Sequence, residues 1–501
     1  MRVVARFGWQ DLGWGTPLVR AFATGELGGG ARSARNPTHT PERGAFLEAL
    51  WSEIPPARRA AWEPLSQPGA TAVVTGQQPG CAGGSLLVLY KAATAVALAR
   101  RLAEETRRPV VPIFWNATDD DDFEEISSVA WPDGNGLAFL ELPRSGRRAG
   151  GWVGDLPAAG DAAAVRAARA LAGDAASAAL DGLSPRDASD HGEWVAAWLA
   201  NIFPELAVLD ARSPALRVHG APLFDRYLER REAATAALET GIRDVERAGY
   251  TRTLDAASLR SALFWTPERR REKPGDDLEP LRRAVAVAPH TVSPNVVLRA
   301  LLQDALLPTV AHVVGPSEIG YLLELRPLRV LLDVEEPALV PRLTMTVLPE
   351  PLAQAVSALA APVPAVLADP EAVLRDAARE AAASTRAALA AAFQELEAAL
   401  GALSFSETGL ARAKRRLVAV EETLADESIV AARGELFARR PELARLPAVV
   451  RPRGQAQERL LAGLWLAAQW GSATGPRLVE LASAHLEALG RRRPEHTLVV
   501  A

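Results

Sequence analysis

The sequence predicts an α/β fold: a Rossmann-like parallel-sheet core with an α-helical hairpin appended towards the C-terminus. Three observations predict it. A β-branched run, Thr71–Thr75, leads through a loop rich in Gly and Gln into an amphipathic stretch and then a second β-rich run, Val110–Trp115. Strand-like and helix-like segments then alternate to about residue 350. Beyond that point, apolar residues step by threes and fours through two Ala-, Glu- and Arg-rich stretches separated by a short break.

The first unit is the best defined. Gly76 bounds the Thr71–Thr75 strand. Leu86, Leu89, Tyr90, Ala93, Val96 and Ala97 recur at helical spacing, so Ser85–Glu105 reads as a helix. Pro109 ends it, and a βαβ unit with parallel strands results. Ahead of it lie a turn at Gly28–Gly30 and a helix over Pro41–Trp51. After it come strands at Ile126–Trp131, Leu137–Leu142 and Leu206–Leu209, and helices at Ala162–Ala179, Glu193–Ile202 and Arg226–Arg247. Further strands are expected at Leu263–Trp265, Ala284–Val287 and Val310–Val314, and helices at Asn295–Leu302 and Glu318–Leu325. Leu389, Phe393, Leu396, Leu400 and Leu403 form one seam of the hairpin; Ala413, Leu417, Val420 and Leu424 form the other. The expected division is a core over 1–350, with insertions at about 132–290, a coiled-coil hairpin over 351–450, and a segment over 451–501 that packs back on the core and ends in a small strand, Thr497–Val500.

Composition bounds the function. The chain has 501 residues, of which 49% are hydrophobic and 23% charged, as in globular proteins with large cores. A net charge of -5 offers no basic footprint for nucleic acid. No uncharged apolar run reaches the length of a membrane span, and the N-terminus lacks a secretory pattern. The lone cysteine, Cys81, excludes an internal disulfide and a cysteine-rich metal centre. A cytoplasmic protein is expected.

Three stretches carry candidate chemistry. In VVTGQQPGCAGGS, the glycines Gly76, Gly80, Gly83 and Gly84 lie between strand and helix, where backbone N–H groups and a helix N-terminus attract anions. Gln77 and Gln78 add amides that both donate and accept. Lys91 follows on the helix, its long stem able to reach back. The spacing is neither a dinucleotide fingerprint nor a P-loop. No histidine neighbours Cys81 in sequence, so the thiol reads as a small buried residue rather than a nucleophile. In FWNATDDDDFEEI, Asp119 to Asp122, Glu124 and Glu125 follow a strand end, a place to hold an amine or a cation. In the third stretch, His290–Leu328, Asn295, Arg299, Gln303 and Asp304 are polar positions on an otherwise apolar helix, and Gly315 to Glu318 again joins strand to helix. The seven histidines show no metal-ligand spacing, so no metal site is assigned.

Taken together, VVTGQQPG..GG, P.VPIFWNATDDDDFEEI, LAVLDARSPALR, SPNVVLRALLQDALLPTVAHVVGPSEIGYLLELRPL and VPRLTMTVLPE resemble the bacillithiol-biosynthesis cysteine-adding enzyme family, BshC. AQERLLAGLWLAAQWG is a weaker match. The resemblance implies a core like that of class I nucleotidyl-transferring synthetases and a coiled coil that makes a homodimer. It also implies a ligase activity that joins L-cysteine to glucosaminyl-malate. Where that family has Glu-Asp-His-Asp, this chain has Asp119 to Asp122, so Asp121 replaces a His; Ser85 and Ala300 stand where Pro is usual.

Amide formation from a carboxylate needs a better leaving group. The expected activation is by ATP with Mg²⁺, through an acyl-adenylate, an inference from fold and energetics rather than from a motif. Gln78, Asp119 and Asp120 are the expected catalytic residues, with the aspartates orienting the amine or Mg²⁺. Gly76, Gln77, Gly80, Gly83, Gly84 and Lys91 are expected to bind phosphate or carboxylate; Asn295, Arg299, Gln303, Gly315 and Glu318 complete the substrate contacts. Two other readings stay open: a Rossmann-like ligase or nucleotidyltransferase acting on another amino acid or amino sugar, and a non-catalytic coiled-coil assembly protein.

Overall fold

The computed structural model describes residues 2–26, 37–38, 40–133, 136–145, 148–255, 262–275, 277–359 and 361–500. The turn expected at Gly28–Gly30 lies outside them. The strands are β1 (Arg2–Gly8), β2 (Thr71–Gln77), β3 (Val110–Asn116), β4 (Ser128–Asp133), β5 (Gly136–Glu141) and β6 (Ala207–Asp210), then β7 (Leu263–Trp265), β8 (Val292–Pro294), β9 (Thr309–Val314), β10 (Ala338–Pro341), β11 (Met345–Leu348) and β12 (Glu495–Val500).

The central sheet has the order β10-β9-β2-β3-β6, and every pairing is parallel. Counted along the chain this is 3-2-1-4-5, the Rossmann-like order. Side chains alternate across it. Val73, Phe114, Ala311 and Val313 face one core with the helix Leu86–Thr106, which buries thirteen of its residues. Ala72, Val74, Ile113, Trp115 and Val314 face the other core, with the helices Pro41–Glu53, Pro214–Glu229 and Val296–Leu306. Both faces are covered, which is why these strands read as continuous apolar runs.

The chain leaves β2 towards β3 on one side and later returns beside β2 on the other as β9. The gap between the C-terminal ends of β2 and β9 is therefore the topological switch point, where open parallel sheets bind ligands.

A three-stranded sheet, β1-β12-β11, brings the two ends of the chain together and carries a third, smaller core with Leu352, Leu374, Leu446 and Val449. The helices Ala383–Gly401 and Glu407–Arg439 form the hairpin, and neither buries a residue. Leu389, Phe393, Leu400, Ala413 and Leu417 are half-buried, whereas Leu396, Leu403, Val420 and Leu424 are exposed. Among the described residues, no helix is long and apolar enough to cross a membrane.

Three sequence expectations need correction. Ala284–Val287 is not a strand but the end of the helix Glu279–Val287, whose buried residues Leu281, Ala284 and Val285 follow helical spacing. The helix expected at Ala162–Ala179 is two, broken at Gly173, whose φ of 76° ends the first. The segment Arg226–Arg247 also spans two helices, meeting at Arg230.

Candidate functional site

A cavity of about 310 Å³ opens at the switch point between β2 and β9. Its floor is the end of β2, Gly76–Gln78. Gly76 admits no side chain: a Cβ there would stand 2.7 Å from the Trp115 carbonyl oxygen on β3. The strand can thus end flush, and Gln77 and Gln78 carry amides into the opening.

One wall is cationic. Lys91, buried on the helix Leu86–Thr106, turns back as its spacing suggested. Its Nζ donates to the Gly76 carbonyl at 2.8 Å and Gln77 Oε1 at 3.0 Å, and pairs with Glu318 at 2.6 Å. Burial lowers the Lys91 pKa, and the Glu318 carboxylate opposes that shift. Glu318 itself is pushed up by burial, but the Lys91 charge and the Gly315 N–H more than offset this and hold it below its usual value. Gly315 N–H donates to Glu318 at 2.6 Å, which fixes the start of the helix Pro316–Glu324. Arg342, just past β10, is 3% exposed; it donates to Leu343 O and to the buried Glu458 while its Nε has no partner among the described residues. Arg459 reaches Ser317 Oγ at 3.3 Å. Arg299, half-buried in the cavity wall, makes no hydrogen bond or ion pair among the described residues.

The other wall is acidic. Asp120 accepts from Arg271 at 2.9 Å and from the Asp121 N–H at 2.8 Å. Burial raises its pKa, but Arg271, Arg299 and these N–H groups hold it below the ordinary carboxylate value. Glu125, at the rim, is shifted the other way. Partial burial and repulsion from Asp122 and Asp120 raise it, and the Gln78 amide and Arg299 only partly compensate. Two neighbouring carboxylates therefore have opposed proton affinities, the arrangement that separates a proton acceptor from a fixed anion.

Of the residues singled out from the sequence, Gly76, Gln77, Gln78, Lys91, Asp120, Arg299, Gly315 and Glu318 line this cavity. Asp119 lies behind it, 4% exposed, accepting from Ser293 Oγ at 2.6 Å and Arg217 at 3.2 Å. Gly80, Gly83 and Gly84 do not cradle the opening. They fold the loop onto itself, and a Cβ on Gly83 would fall 2.4 Å from the Trp198 ring. The Asn295 side chain caps the helix Val296–Leu306 by accepting from the Val297 and Leu298 N–H groups. Gln303 is buried and donates to Asp304, which pairs with Arg329 at 2.7 Å. Asp121 pairs with Arg271 at 3.3 Å outside the lining, so the position where the resembled family has His does not face the cavity. Cys81 is fully buried, and burial, with Asp161 and Glu141 nearby, raises its thiol pKa well above normal. That opposes thiolate chemistry.

Sequence reading missed Arg342, Arg459, Tyr321 and the supporting Glu458. Glu458 and Arg459 come from a segment more than a hundred residues beyond the β9 loop, and no local spacing marks them.

The cationic wall suits phosphate or carboxylate oxygens. Mg²⁺ fits less well as a protein-held ion: Arg217 and Arg271 already engage Asp119 and Asp120, and no metal-binding group of three or more His, Cys, Asp or Glu occurs among the described residues.

Comparison with known proteins agrees with the fold. A family model described as "Bacillithiol biosynthesis BshC, N-terminal Rossmann-like domain" matches residues 45–343. A candidate cysteine ligase BshC of Heliobacterium modesticaldum is 30% identical over 323 residues, 57% of this chain and 56% of that one. Proteins of the same name from Exiguobacterium sibiricum and Symbiobacterium thermophilum are each 31% identical, over 62% and 58% of this chain and 63% and 58% of their own. The chain thus spans little more than half the length of the curated relatives it matches. With the model covering more than half of its residues, and the switch-point cavity inside that span, the chain belongs to the BshC family.

Proposed function

We propose that this protein is a cytoplasmic amide-forming ligase that joins L-cysteine to glucosaminyl-malate, the last step of bacillithiol biosynthesis. The observation that carries the reading is the two-signed cavity. Arg299 and Arg342 line it together with Asp120, Glu125 and the Gln77 and Gln78 amides. Substrates bearing carboxylates and one amine match such an opening. The cationic wall holds carboxylate or phosphate oxygens. Asp120, kept ionised, orients the ammonium. Glu125, with its raised proton affinity, takes the proton that the amine must shed to attack. When bound, ATP supplies the leaving group on the cysteine carboxylate; Arg299 and Arg459 would hold its phosphates, with the buried Lys91 and Arg342 adding positive charge, and Mg²⁺ would arrive with them. No observation in the cavity favours the non-catalytic reading.

Incubation with L-cysteine, glucosaminyl-malate and Mg²⁺-ATP is expected to give a product weighing the sum of the two substrates less one water by mass spectrometry, and none without ATP. Folded protein that forms no such product under either condition overturns the assignment.

The hairpin is read as the surface of a homodimer. Leu396, Leu403, Phe405, Val420, Leu424 and Val430 are 44–64% exposed on it, more apolar side chain than an isolated hairpin leaves in water. Light scattering is expected to give twice the mass of one chain, and the V420E/L424E double variant the mass of one. A monomeric parent protein would exclude this.

A further inference from the structure

Behind the Gln77–Gln78 loop lies a second polar cluster, fully buried and outside the cavity. The His191 ring has two neighbours. Its Nδ1 stands 2.7 Å from Asp161 Oδ2, and its Nε2 stands 2.9 Å from the Pro79 carbonyl oxygen. Asp161 Oδ1 in turn accepts from the Ala82 N–H at 2.8 Å. Both residues are 0% exposed. A carbonyl oxygen only accepts, and an ionised Asp161 carboxylate likewise only accepts, from the Ala82 N–H with one oxygen and from the ring with the other. With Asp161 in that form each ring nitrogen carries a proton, and the ring is an imidazolium.

The loop needs such a hold. Ala82 sits in the left-handed region at φ 49°, a strained conformation for a residue with a side chain. Pro79 directly follows the two glutamines that enter the cavity. His191 and Asp161 come from two separate helices, His191–Ile202 and Ala159–Ala172, and together grip the loop on either side of Gly80 and Cys81.

We propose that His191 and Asp161 are positioning residues for the cavity: an imidazolium that holds the Pro79 carbonyl, anchored by a carboxylate that also holds the Ala82 N–H, so that, beside an ionised Asp161, Gln77 and Gln78 are correctly placed only while His191 is charged. The surrounding charges agree. Burial lowers the His191 pKa, but Asp161, the Pro79 carbonyl and Asp190 outweigh it and leave the value raised. The other charged group acting on the ring is Asp190 with its partner Arg212; the Cys81 thiol lies near Asp161, and Glu141 acts on that thiol. Because the folded value lies above the ordinary 6.5, the clamp is complete below 6.5 and is lost as pH rises through the raised value.

Asp161→Asn tests this with little disturbance. The Asn amide can still accept from Ala82 with its oxygen and donate to Nδ1 with its nitrogen, while Nε2–H keeps Pro79. Every hydrogen bond survives with a neutral ring. Expected in the full-length protein at pH 7 is a ring ¹⁵N spectrum with both His191 nitrogens protonated in the parent and only one in D161N. Hydrogen exchange of the 77–82 amides, corrected for intrinsic rates, is expected to quicken about tenfold or more with rising pH in the parent and to stay flat in D161N. A singly protonated parent ring, or parallel exchange profiles, overturns the proposal. Neither readout needs turnover, so both stand apart from the ligase assignment on which the functional consequence rests. Given that activity, H191Q is expected to lose at least tenfold in kcat/KM at every pH, and D161N to lose the part of the alkaline decline that His191 causes. An H191Q variant with parent activity also overturns it.

Discussion

Lys91→Met is expected to lower the unfolding free energy by about 3 kcal/mol and to eliminate ligation. The ammonium is 2% exposed and saturated by three acceptors: the Gly76 carbonyl, Gln77 Oε1 and Glu318. Deleting it strands Glu318 in a pocket where the Gly315 N–H is its remaining donor. Breaking a buried ion pair costs about 3–5 kcal/mol, and the 22% exposure of the Glu318 side chain places this pair at the low end. The double variant K91M/E318Q should recover most of the stability, because neither charge is then left uncompensated. It should not recover activity, because Gln77 and the end of β2 lose their tether. The pH dependence has a definite sign. The folded Glu318 pKa is depressed, so its contribution is present above the ordinary 4.5 and lost as pH falls through the depressed value. The gap between parent and K91M therefore closes in acid. Denaturant midpoints at neutral pH and below 4.5 measure this; a gap of under about 1 kcal/mol at neutral pH would show that the pair does not hold the site together.

What the sequence made legible follows from how locally each feature is encoded. The βαβ unit over residues 71–116 could be read because β-branched residues, a glycine stop and a helical apolar period fall in one window. Ala284–Val287 could not, because four apolar residues fit either period and only the packing of Leu281 beneath them decides. The same limit governs the site. Gln77, Gln78, Lys91 and Asp120 are strand-end or next-turn residues, and the topology alone brings them to one edge. Asn295 and Arg299 lie one helical turn apart and looked equivalent, yet one caps its helix and the other faces the opening. Backbone satisfaction at a helix start separates them, and that is invisible until the start is placed. Arg342 joins the site through Glu458, a partner 116 residues away.

Arg299→Ala is expected to separate function from stability. Every other cation of the cavity has an acceptor: Lys91 has Glu318, Arg342 has Glu458, and Arg459 has Ser317. Arg299 has none among the described residues, and its charge works against Lys91, whose pKa it helps to lower. The Arg299 guanidinium is repelled by Lys91 but attracted by Asp120 and Glu125, whose proton affinities it lowers, so its net contribution to the ligand-free fold is small. Its removal should leave the melting temperature unchanged or raise it. The loss should fall on binding. A charge-assisted contact to a carboxylate or phosphate is worth about 2–4 kcal/mol, so kcat/KM should drop roughly thirty- to thousandfold. Most of that should appear in KM for the anionic substrate that Arg299 holds, with a smaller change for the other substrate. Arg299→Lys should restore only part, since an ammonium keeps the charge but not the two-pronged geometry. If R299A instead destabilises the protein by as much as K91M does, Arg299 serves the fold and the cationic wall must be assigned to Lys91, Arg342 and Arg459.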